Sequence, residues 1–261
     1  KQKITVKEVV RAVTEAVGRK FVLPGDSAQM LGSDYMTVVC VEGPSYYVMY
    51  GTARIGKDCS KVSGDNFALI EMPGGRQAAV LSDGMGSGAD ACRESTMVIE
   101  LLEELLSAGF PEKTAIQMIN TTLVMGREEI HYSTVDMSVF DLYTGECEII
   151  KSGASSTFIR KKDSVEHLSS TSLPIGVMNR IEIDSVKRQL EDGDFLVMVS
   201  DGVLEYLHVD EPEETMGEII ESLDTNNPGR LAKGILERVM LYTGGKVMDD
   251  MTVLTAGIWE K

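Results

Sequence analysis

The chain has 261 residues, of which 43% are hydrophobic and 25% charged, a composition typical of one large globular domain or of a domain with a short appendage. Its formal net charge of −16 argues against nucleic acid and against anionic membrane surfaces as partners. An anionic phosphoryl substrate would be repelled by this charge unless cations first neutralised the site. No apolar segment approaches the ~18–20 residues that span a bilayer.

The first half of the chain is predicted to contain an amphipathic helix, two hairpins and a pair of helices. Apolar residues at helical spacing predict the first helix over residues 5–17. Runs of β-branched and aromatic residues predict the hairpins, and the two helices follow without a strand between them. The hairpins join residues 35–41 to 46–50 and 66–72 to 77–81, and the helices cover residues 89–108 and the segment from Pro111 onward.

The second half is predicted to return to strands, over residues 134–142, 146–151, 157–160, 181–189 and 195–200, then helices near 213–223 and 228–241 and a last strand over 252–258. Many short strands and paired helices favour an α+β fold of two packed antiparallel β-sheets flanked by helix pairs over a parallel βαβ fold. We expect residues 45–261 to form this domain. Residues 1–44 are predicted to be an N-terminal helix and lead-in strand with a regulatory role.

Acidic residues lie at the ends of several predicted strands, far apart in the sequence. They are Asp65, Asp83 with Gly84 beside it, Asp201, and the pair Asp249 and Asp250. A single Asp-Gly at a strand end is usually a turn, but four such positions together favour a site. Carboxylate and carbonyl oxygens favour Mg²⁺ or Mn²⁺, and two such cations would remove the repulsion between the carboxylates. The sequence therefore predicts a site for two divalent metal ions.

Five motifs in the chain resemble those of one phosphatase family in their order and spacing. They are SGDN at 63–66, SDGMGSG at 82–88, LPIG at 173–176, SDG at 200–202 and DDMT at 249–252. Together they resemble the PPM-type metal-dependent serine/threonine phosphatases, and among these most closely the phosphatase domains of the stage II sporulation protein E family. The resemblance covers about residues 46–261 and includes residues 132–136 and 151–153.

The resemblance implies an α-β-β-α sandwich that binds two Mn²⁺ or Mg²⁺ ions. Asp83 would bridge the two metals, the Gly84 carbonyl would bind one of them, and Asp65 would bind the second metal directly or through water. Asp201 and Asp249 would complete the first metal's ligands. Asp250 ranks second to Asp249, because it occupies the position of the asparagine in the family's Asp-Asn pair. A water bridging the metals would attack phosphorus in line, without a phosphoenzyme.

The resemblance also implies a substrate and a cellular setting. The substrate would be a phosphoserine on an anti-sigma-factor antagonist protein, and its hydrolysis would release a sporulation sigma factor. Because the chain begins at Lys1 without an initiator methionine, we expect it to be part of a longer protein. That protein is expected to be membrane-anchored, with this segment in the cytoplasm and with a regulatory domain or self-association as further partners.

Other interpretations remain open from the sequence. A catalytically silent PPM-like binding domain is the main alternative to an enzyme. Gly84–Ala89 fits a loose dinucleotide fingerprint, but this interpretation fails because a second helix follows where that fold needs a parallel strand. Larger relatives hold the substrate phosphate with an arginine; Arg54, Lys57 and Lys61 are candidates here, although solvated turn residues are the favoured interpretation.

The helix over residues 5–17 is also a candidate regulatory element. Docked on the helix pair, it would move Asp83 and the Gly84 carbonyl and so change metal occupancy. A helix pair that only covers the sheet is the alternative. Deletion of residues 1–20 tests this hypothesis, since an unchanged metal concentration for half-maximal activity would exclude it.

Overall fold

The computed structural model describes residues 4–24, 31, 35–86, 88–125 and 132–261. The helices in this part of the chain are α1 (Val6–Val17), α2 (Ala89–Ser107), α3 (Glu112–Val124), α4 (Asp201–Glu205), α5 (Pro212–Glu221) and α6 (Pro228–Tyr242). None of the described helices has the length and apolar character needed to cross a membrane.

Twelve strands are found among the described residues. They are β1 (Phe21–Val22), β2 (Val41–Glu42), β3 (Tyr46–Ile55), β4 (Asp65–Met72), β5 (Arg76–Asp83), β6 (Val135–Asp141), β7 (Glu146–Ser152), β8 (Thr157–Arg160), β9 (Val165–Leu168), β10 (Asp184–Gln189), β11 (Phe195–Val199) and β12 (Met251–Glu260). Apart from the short β1–β2 pair, they form two five-stranded sheets, both antiparallel.

The two large sheets pack face to face, with helices on their outer faces. The first sheet has the order β10-β7-β6-β5-β4 and carries α2 and α3, whose apolar sides pack on residues such as Val80 and Met137. The second sheet has the order β3-β12-β11-β8-β9 and carries α5 and α6 around residues such as Val197 and Val253. This arrangement confirms the predicted α+β fold of two antiparallel sheets flanked by helix pairs.

The space between the sheets is apolar over most of its length and becomes polar at one end. Leu81, Phe140, Leu196 and Leu254 belong to the apolar part, with side chains from both sheets. Asp83 lies two residues after Leu81 on β5, and Thr252 lies two residues before Leu254 on β12. Because strand side chains alternate with a period of two, both residues project from the same faces as these leucines. The strand ends therefore place polar groups at one edge of the sandwich.

The N-terminal segment lies against the opposite end of the first sheet. Thr5 and Glu8 form a capping box at the start of α1, which packs on β1. The Tyr143 hydroxyl, in the β6–β7 turn, donates to the Glu42 carbonyl at 3.4 Å. Of the predicted lead-in over 1–44, residues 1–3, 25–30 and 32–34 lie outside the described residues.

The predicted hairpin between residues 35–41 and 46–50 is wrong. Residues 35–40 form no strand, β2 pairs with β1, and β3 pairs with β12 along ten residues. The alternating pattern of β3 correctly indicated a strand, but periodicity carries no information about which strand is its partner. Helix α4 and strand β9 were not predicted, and the strand predicted from residue 181 begins at Asp184.

Candidate metal centre

Asp65 and Asp83 lie directly opposite each other where β4 begins and β5 ends. Residues paired in this way project to the same face with Cβ atoms roughly 5 Å apart, so their carboxylates are neighbours. Asp65 is only 1% exposed, and neither of its carboxylate oxygens accepts a hydrogen bond from the described residues. A buried carboxylate with both oxygens unsatisfied requires a positive partner or a proton.

The main chain around Asp83 is fixed by the segment that leads into β6. The Asp83 N–H donates to Thr134 Oγ1 at 2.9 Å, and the Asp83 carbonyl accepts from the Thr134 N–H at 2.8 Å and from the Ser133 hydroxyl at 2.6 Å. Both acceptor positions of this carbonyl are therefore occupied. These contacts hold the end of β5 in one position, which fixes where the Asp83 side chain and the following peptide begin.

Gly84 lies where the first turn of α2 packs against the end of β5. A Cβ at this position would stand 2.1 Å from the Ala91 carbonyl oxygen, so no larger residue fits without moving the helix. The Gly84 N–H donates to the Gly64 carbonyl at 3.3 Å, which joins the start of β4 to the same point. Ser87, the next-to-last residue of the motif at 82–88, lies outside the described residues.

Asp201 comes from the second sheet and faces the same end of the sandwich. It follows β11 as the first residue of α4, and its Oδ1 accepts from the Gly202 N–H at 2.6 Å. A Cβ on Gly202 would stand 2.2 Å from the Asp250 carbonyl oxygen, so the SDG and DDMT segments are in direct contact. The Thr252 N–H also donates to Ser200 Oγ at 2.9 Å. Glycine at position 202 thus allows two acidic segments to approach.

Asp249 and Asp250 have different surroundings. Asp250 is 4% exposed, and its two carboxylate oxygens accept from the main-chain N–H groups of Lys57 at 2.8 Å and Gly64 at 2.6 Å. Asp249 is half-buried and accepts from the Asp250 N–H at 2.9 Å. Its charge acts on both Asp83 and Asp201. Asp250 therefore joins the neighbouring loops through both of its oxygens, whereas Asp249 accepts a single N–H.

Burial and mutual repulsion disfavour the ionised form of these aspartates. Burial, followed by the charges of Asp65 and Asp201, raises the pKa of Asp83 to about 9. Burial also raises the pKa of Asp65 to about 6, with further increases from Asp250 and Asp201. The hydroxyls of Thr252 and Ser200 are close enough to lower this pKa in part, but neither completes a hydrogen bond to Asp65. Burial raises the pKa of Asp201 as well.

These residues fit divalent cations as a partly hydrated site. In the described part of the chain, no three His, Cys, Asp or Glu side chains form a group that could hold a metal ion by themselves. Asp83 lies between Asp65, its register partner, and Asp201, whose side chain it contacts by a hydrogen bond, and Asp249 acts on Asp83 and Asp201 through its charge. Magnesium commonly keeps several waters and takes only one or two carboxylates, so pairs of carboxylates with a main-chain carbonyl suffice. The unsatisfied oxygens of Asp65 support the same conclusion.

The candidate phosphate-holding residues Arg54, Lys57 and Lys61 lie at the end of β3 and in the segment between β3 and β4. Arg54 lies on β3 and lines a groove between β3 and α6. Lys57 lies in the one-turn helix Lys57–Cys59 and reaches the site through its main-chain N–H. The sequence reasoning missed the supporting groups Ser133, Thr134 and Ser200. Residues 132–136 and 200–202 do belong to the quoted motifs, but only the structure shows what their hydroxyls bind.

Comparison with known proteins places this chain in a family. A profile of the family described as Stage II sporulation protein E (SpoIIE) matches residues 73–258. Stage II sporulation protein E of Bacillus subtilis (strain 168) is 39% identical over 215 residues, which is 82% of this chain and 26% of that protein. The protein of the same name from Priestia megaterium is 34% identical over 251 residues, 96% of this chain and 43% of that protein. The chain thus spans less than half the length of these curated relatives.

A solved structure agrees with this assignment. The structure of the PP2C phosphatase domain and a fragment of the regulatory domain of the cell fate determinant SpoIIE from Bacillus subtilis matches with a TM-score of 0.82 at 33% identity. The match covers 97% of this chain and 75% of that one. The chain therefore belongs to the stage II sporulation protein E family, and it contains the PP2C-type (PPM) phosphatase domain of that family.

Proposed function

We propose that this domain hydrolyses phosphoserine on a protein substrate with the help of two Mn²⁺ or Mg²⁺ ions. Asp83 would bind both ions, Asp201 and Asp249 would bind the first and Asp65 the second, and the Gly84 carbonyl would bind one of the two. The observation that carries the proposal is the pair of unsatisfied oxygens on buried Asp65, directly opposite Asp83. The raised pKa values of Asp65 and Asp83 indicate that the ionised carboxylates lack a compensating positive charge.

When bound, the ions would supply positive charge for the phosphoryl oxygens and Lewis acidity for the attacking water. The chain itself fixes the positions of the ligand residues before a metal ion binds. Ser133 and Thr134 fix the main chain at Asp83, and Asp250 ties the loop at Gly64 to the start of β12. Ligands held in this way lose little freedom on binding, which favours tight and specific positioning of the substrate phosphate.

Membership of the family supports a proposal about the substrate and the cellular setting. We infer that the phosphoserine belongs to an anti-sigma-factor antagonist and that its hydrolysis contributes to sporulation control. The parent protein is proposed to be anchored in the membrane by a region outside this chain, with this domain facing the cytoplasm. A regulatory domain or self-association of the parent protein would then control activity, and residues 1–44 are proposed to take part.

A metal titration tests the proposed function. Mn²⁺ is added to the wild-type domain and to Asp83→Ala, with a phosphoserine protein as substrate and calorimetry as a second readout. Asp163→Ala is the matched control, since Asp163 is exposed in the turn after β8. We expect wild type and the control to bind Mn²⁺ and to release phosphate, and Asp83→Ala to do neither.

The catalytically silent alternative makes a different prediction in the same experiment. A silent binding domain would show no release of phosphate from the phosphoprotein or from p-nitrophenyl phosphate, and no heat of Mn²⁺ binding in wild type. That result would overturn the proposed function. If Asp83→Ala still bound Mn²⁺ and still released phosphate, the domain would be an enzyme in which Asp83 is not a metal ligand.

A further inference from the structure

A buried charged cluster joins the two sheets behind the candidate metal centre. Asp136 on β6 and Lys151 on β7 are register partners, and the Lys151 Nζ stands 2.7 Å from Asp136 Oδ2. Thr157 on β8 belongs to the other sheet; its hydroxyl donates to Asp136 Oδ2 at 2.7 Å and accepts from Lys151 Nζ at 2.6 Å. The Asp136 and Lys151 side chains are 2% and 3% exposed. The three side chains form a closed group that is shielded from bulk solvent.

Stability alone does not account for this ion pair. Removing two charges from water costs several kcal/mol for each ion, and well-packed apolar residues in place of such a pair are often as stable or more stable. The surrounding space between the sheets is filled elsewhere by apolar side chains such as Leu81 and Leu196. A charged pair at this place is therefore expected to have a task besides holding the sheets together.

One oxygen of Asp136 is left without a protein partner. Asp136 Oδ1 is buried, and none of the described residues donates a hydrogen bond to it. Such atoms in native proteins are commonly satisfied by a buried water. Because Lys151 already neutralises the Asp136 carboxylate, a neutral water suits Oδ1 better than a second cation does.

A small cavity connects Asp136 with the aspartates of the candidate metal centre. It has a volume of about 30 Å³ and is lined by Asp136 together with Asp83, Asp201, Thr134 and Ser200. A polar cavity of more than about 10–15 Å³ accommodates a water molecule. The cavity thus has room for one or two waters that contact Asp136 on one side and the metal-side carboxylates on the other.

We propose that Asp136, held by Lys151 and Thr157, is a positioning residue that orients Asp83 and Asp201 through a water in this cavity. The inference rests on the proposed metal-dependent function and adds a supporting group from both sheets to it. Asp136 itself touches neither substrate nor metal in this proposal. It restricts the rotation of carboxylates that would otherwise repel each other, as hydrogen-bonded partners behind metal ligands generally do.

Paired substitutions test this role without leaving an unpaired buried charge. Asp136→Leu with Lys151→Met removes both charges and the acceptor for the water, whereas Asp136→Asn with Lys151→Met removes the charges and keeps the acceptor. Arg76→Met with Glu112→Leu is the matched control, since this pair joins β5 to α3 at the opposite end of the sheet. The readouts are Mn²⁺ affinity by calorimetry and unfolding by urea in metal-free buffer.

We expect the Leu/Met variant to bind Mn²⁺ about 10- to 100-fold more weakly than wild type, without a loss of metal-free stability. The Asn/Met variant should recover most of this affinity, and the control should bind as wild type does. Wild-type affinity in the Leu/Met variant would overturn the positioning role and leave the proposed function intact. Wild-type protein that binds no Mn²⁺ would overturn both.

A crystal structure of the wild-type domain provides a second test in case the Leu/Met variant does not fold. Density for a water within hydrogen-bond distance of Asp136 Oδ1 and of Asp83 or Asp201 is the expected result. A dry cavity, or a water that contacts Asp136 alone, would overturn the proposal.

Discussion

Asp83→Asn should stabilise the metal-free domain at neutral pH while it abolishes the stabilisation by Mn²⁺. Burial and the neighbouring carboxylates raise the pKa of Asp83 to about 9. The folded state therefore binds a proton that the unfolded state has already released above pH ~4. Between these two values the metal-free protein must lose stability as the pH rises, since the unfolded state binds fewer protons than the folded state. Asparagine is neutral at every pH and removes this loss.

The magnitude follows from the difference between the two pKa values. From the usual aspartate pKa near 4 up to neutral pH there are about three pH units, and each contributes about 1.4 kcal/mol, which gives an upper limit of roughly 4 kcal/mol. Asp83 is half-buried, and water at its exposed side screens part of the repulsion. We therefore expect Asp83→Asn to be more stable than wild type by about 2–3 kcal/mol at neutral pH and equally stable near pH 4.

Urea unfolding in EDTA at a series of pH values measures this difference directly. Asp163→Asn is the control, because its exposed carboxylate lies in a turn outside the cluster. Addition of Mn²⁺ at 100 times its dissociation constant should stabilise wild type by about 2.7 kcal/mol and leave Asp83→Asn unchanged. An Asn variant that is less stable than wild type at neutral pH, or that keeps the wild-type dependence on pH, would refute the reasoning.

Three further predictions concern the groups around Asp83. Gly84→Ala would place a Cβ 2.1 Å from the Ala91 carbonyl oxygen, so Mn²⁺ affinity should fall in calorimetry; unchanged affinity would contradict this geometry. Asp250→Ala removes the acceptor of two main-chain N–H groups and should cost about 2–4 kcal/mol in urea unfolding, whereas Asp249→Ala should weaken Mn²⁺ binding instead. Weaker Mn²⁺ binding in Asp250→Ala and a loss of stability in Asp249→Ala would show that Asp250 is the ligand and Asp249 the structural residue. Wild-type Mn²⁺ affinity should rise between about pH 6 and 9, because protons compete for Asp65 and Asp83; a constant affinity would exclude both as ligands.

Much of the fold could be predicted because its elements are encoded locally. The α2–α3 pair, the β4–β5 hairpin and the β6–β7 hairpin each follow from apolar periodicity and from turn residues between neighbouring segments. The pairing of β3 with β12 could not be predicted in this way, since about two hundred residues separate strands whose patterns fit many partners. The β-branched and aromatic run over residues 35–41 predicts a strand beside β3, and nothing local identifies β12 as the true partner.

The site was predictable in a different way. Each Asp-Gly or Asp-Asp step alone is an ordinary turn signal, and only the order and spacing of all the motifs indicated that the aspartates converge. The surroundings of the aspartates were not predictable. The alternating pattern around Asp136 predicts an ordinary strand, and nothing in it indicates that Lys151 and Thr157 enclose its carboxylate between the sheets. The burial and pairing of Asp136 arise only when the two sheets come into contact, so the sequence around Asp136 does not indicate them.

The resemblance to PPM-type phosphatases implies an asparagine where this chain has Asp250, and the contacts of Asp250 explain why an aspartate suits this position. The side chain at this position accepts one main-chain N–H on each of its two terminal atoms, from Lys57 and from Gly64. A carboxylate can accept at both atoms, whereas an asparagine offers one acceptor and would turn its NH₂ group towards the other N–H. The main-chain N–H groups of Lys57 and Gly64 therefore stabilise the negative charge of Asp250. Both oxygens of Asp250 accept a main-chain N–H, whereas Asp249 accepts one N–H at Oδ1, so we expect Asp249 to be the residue of the pair that binds a metal ion.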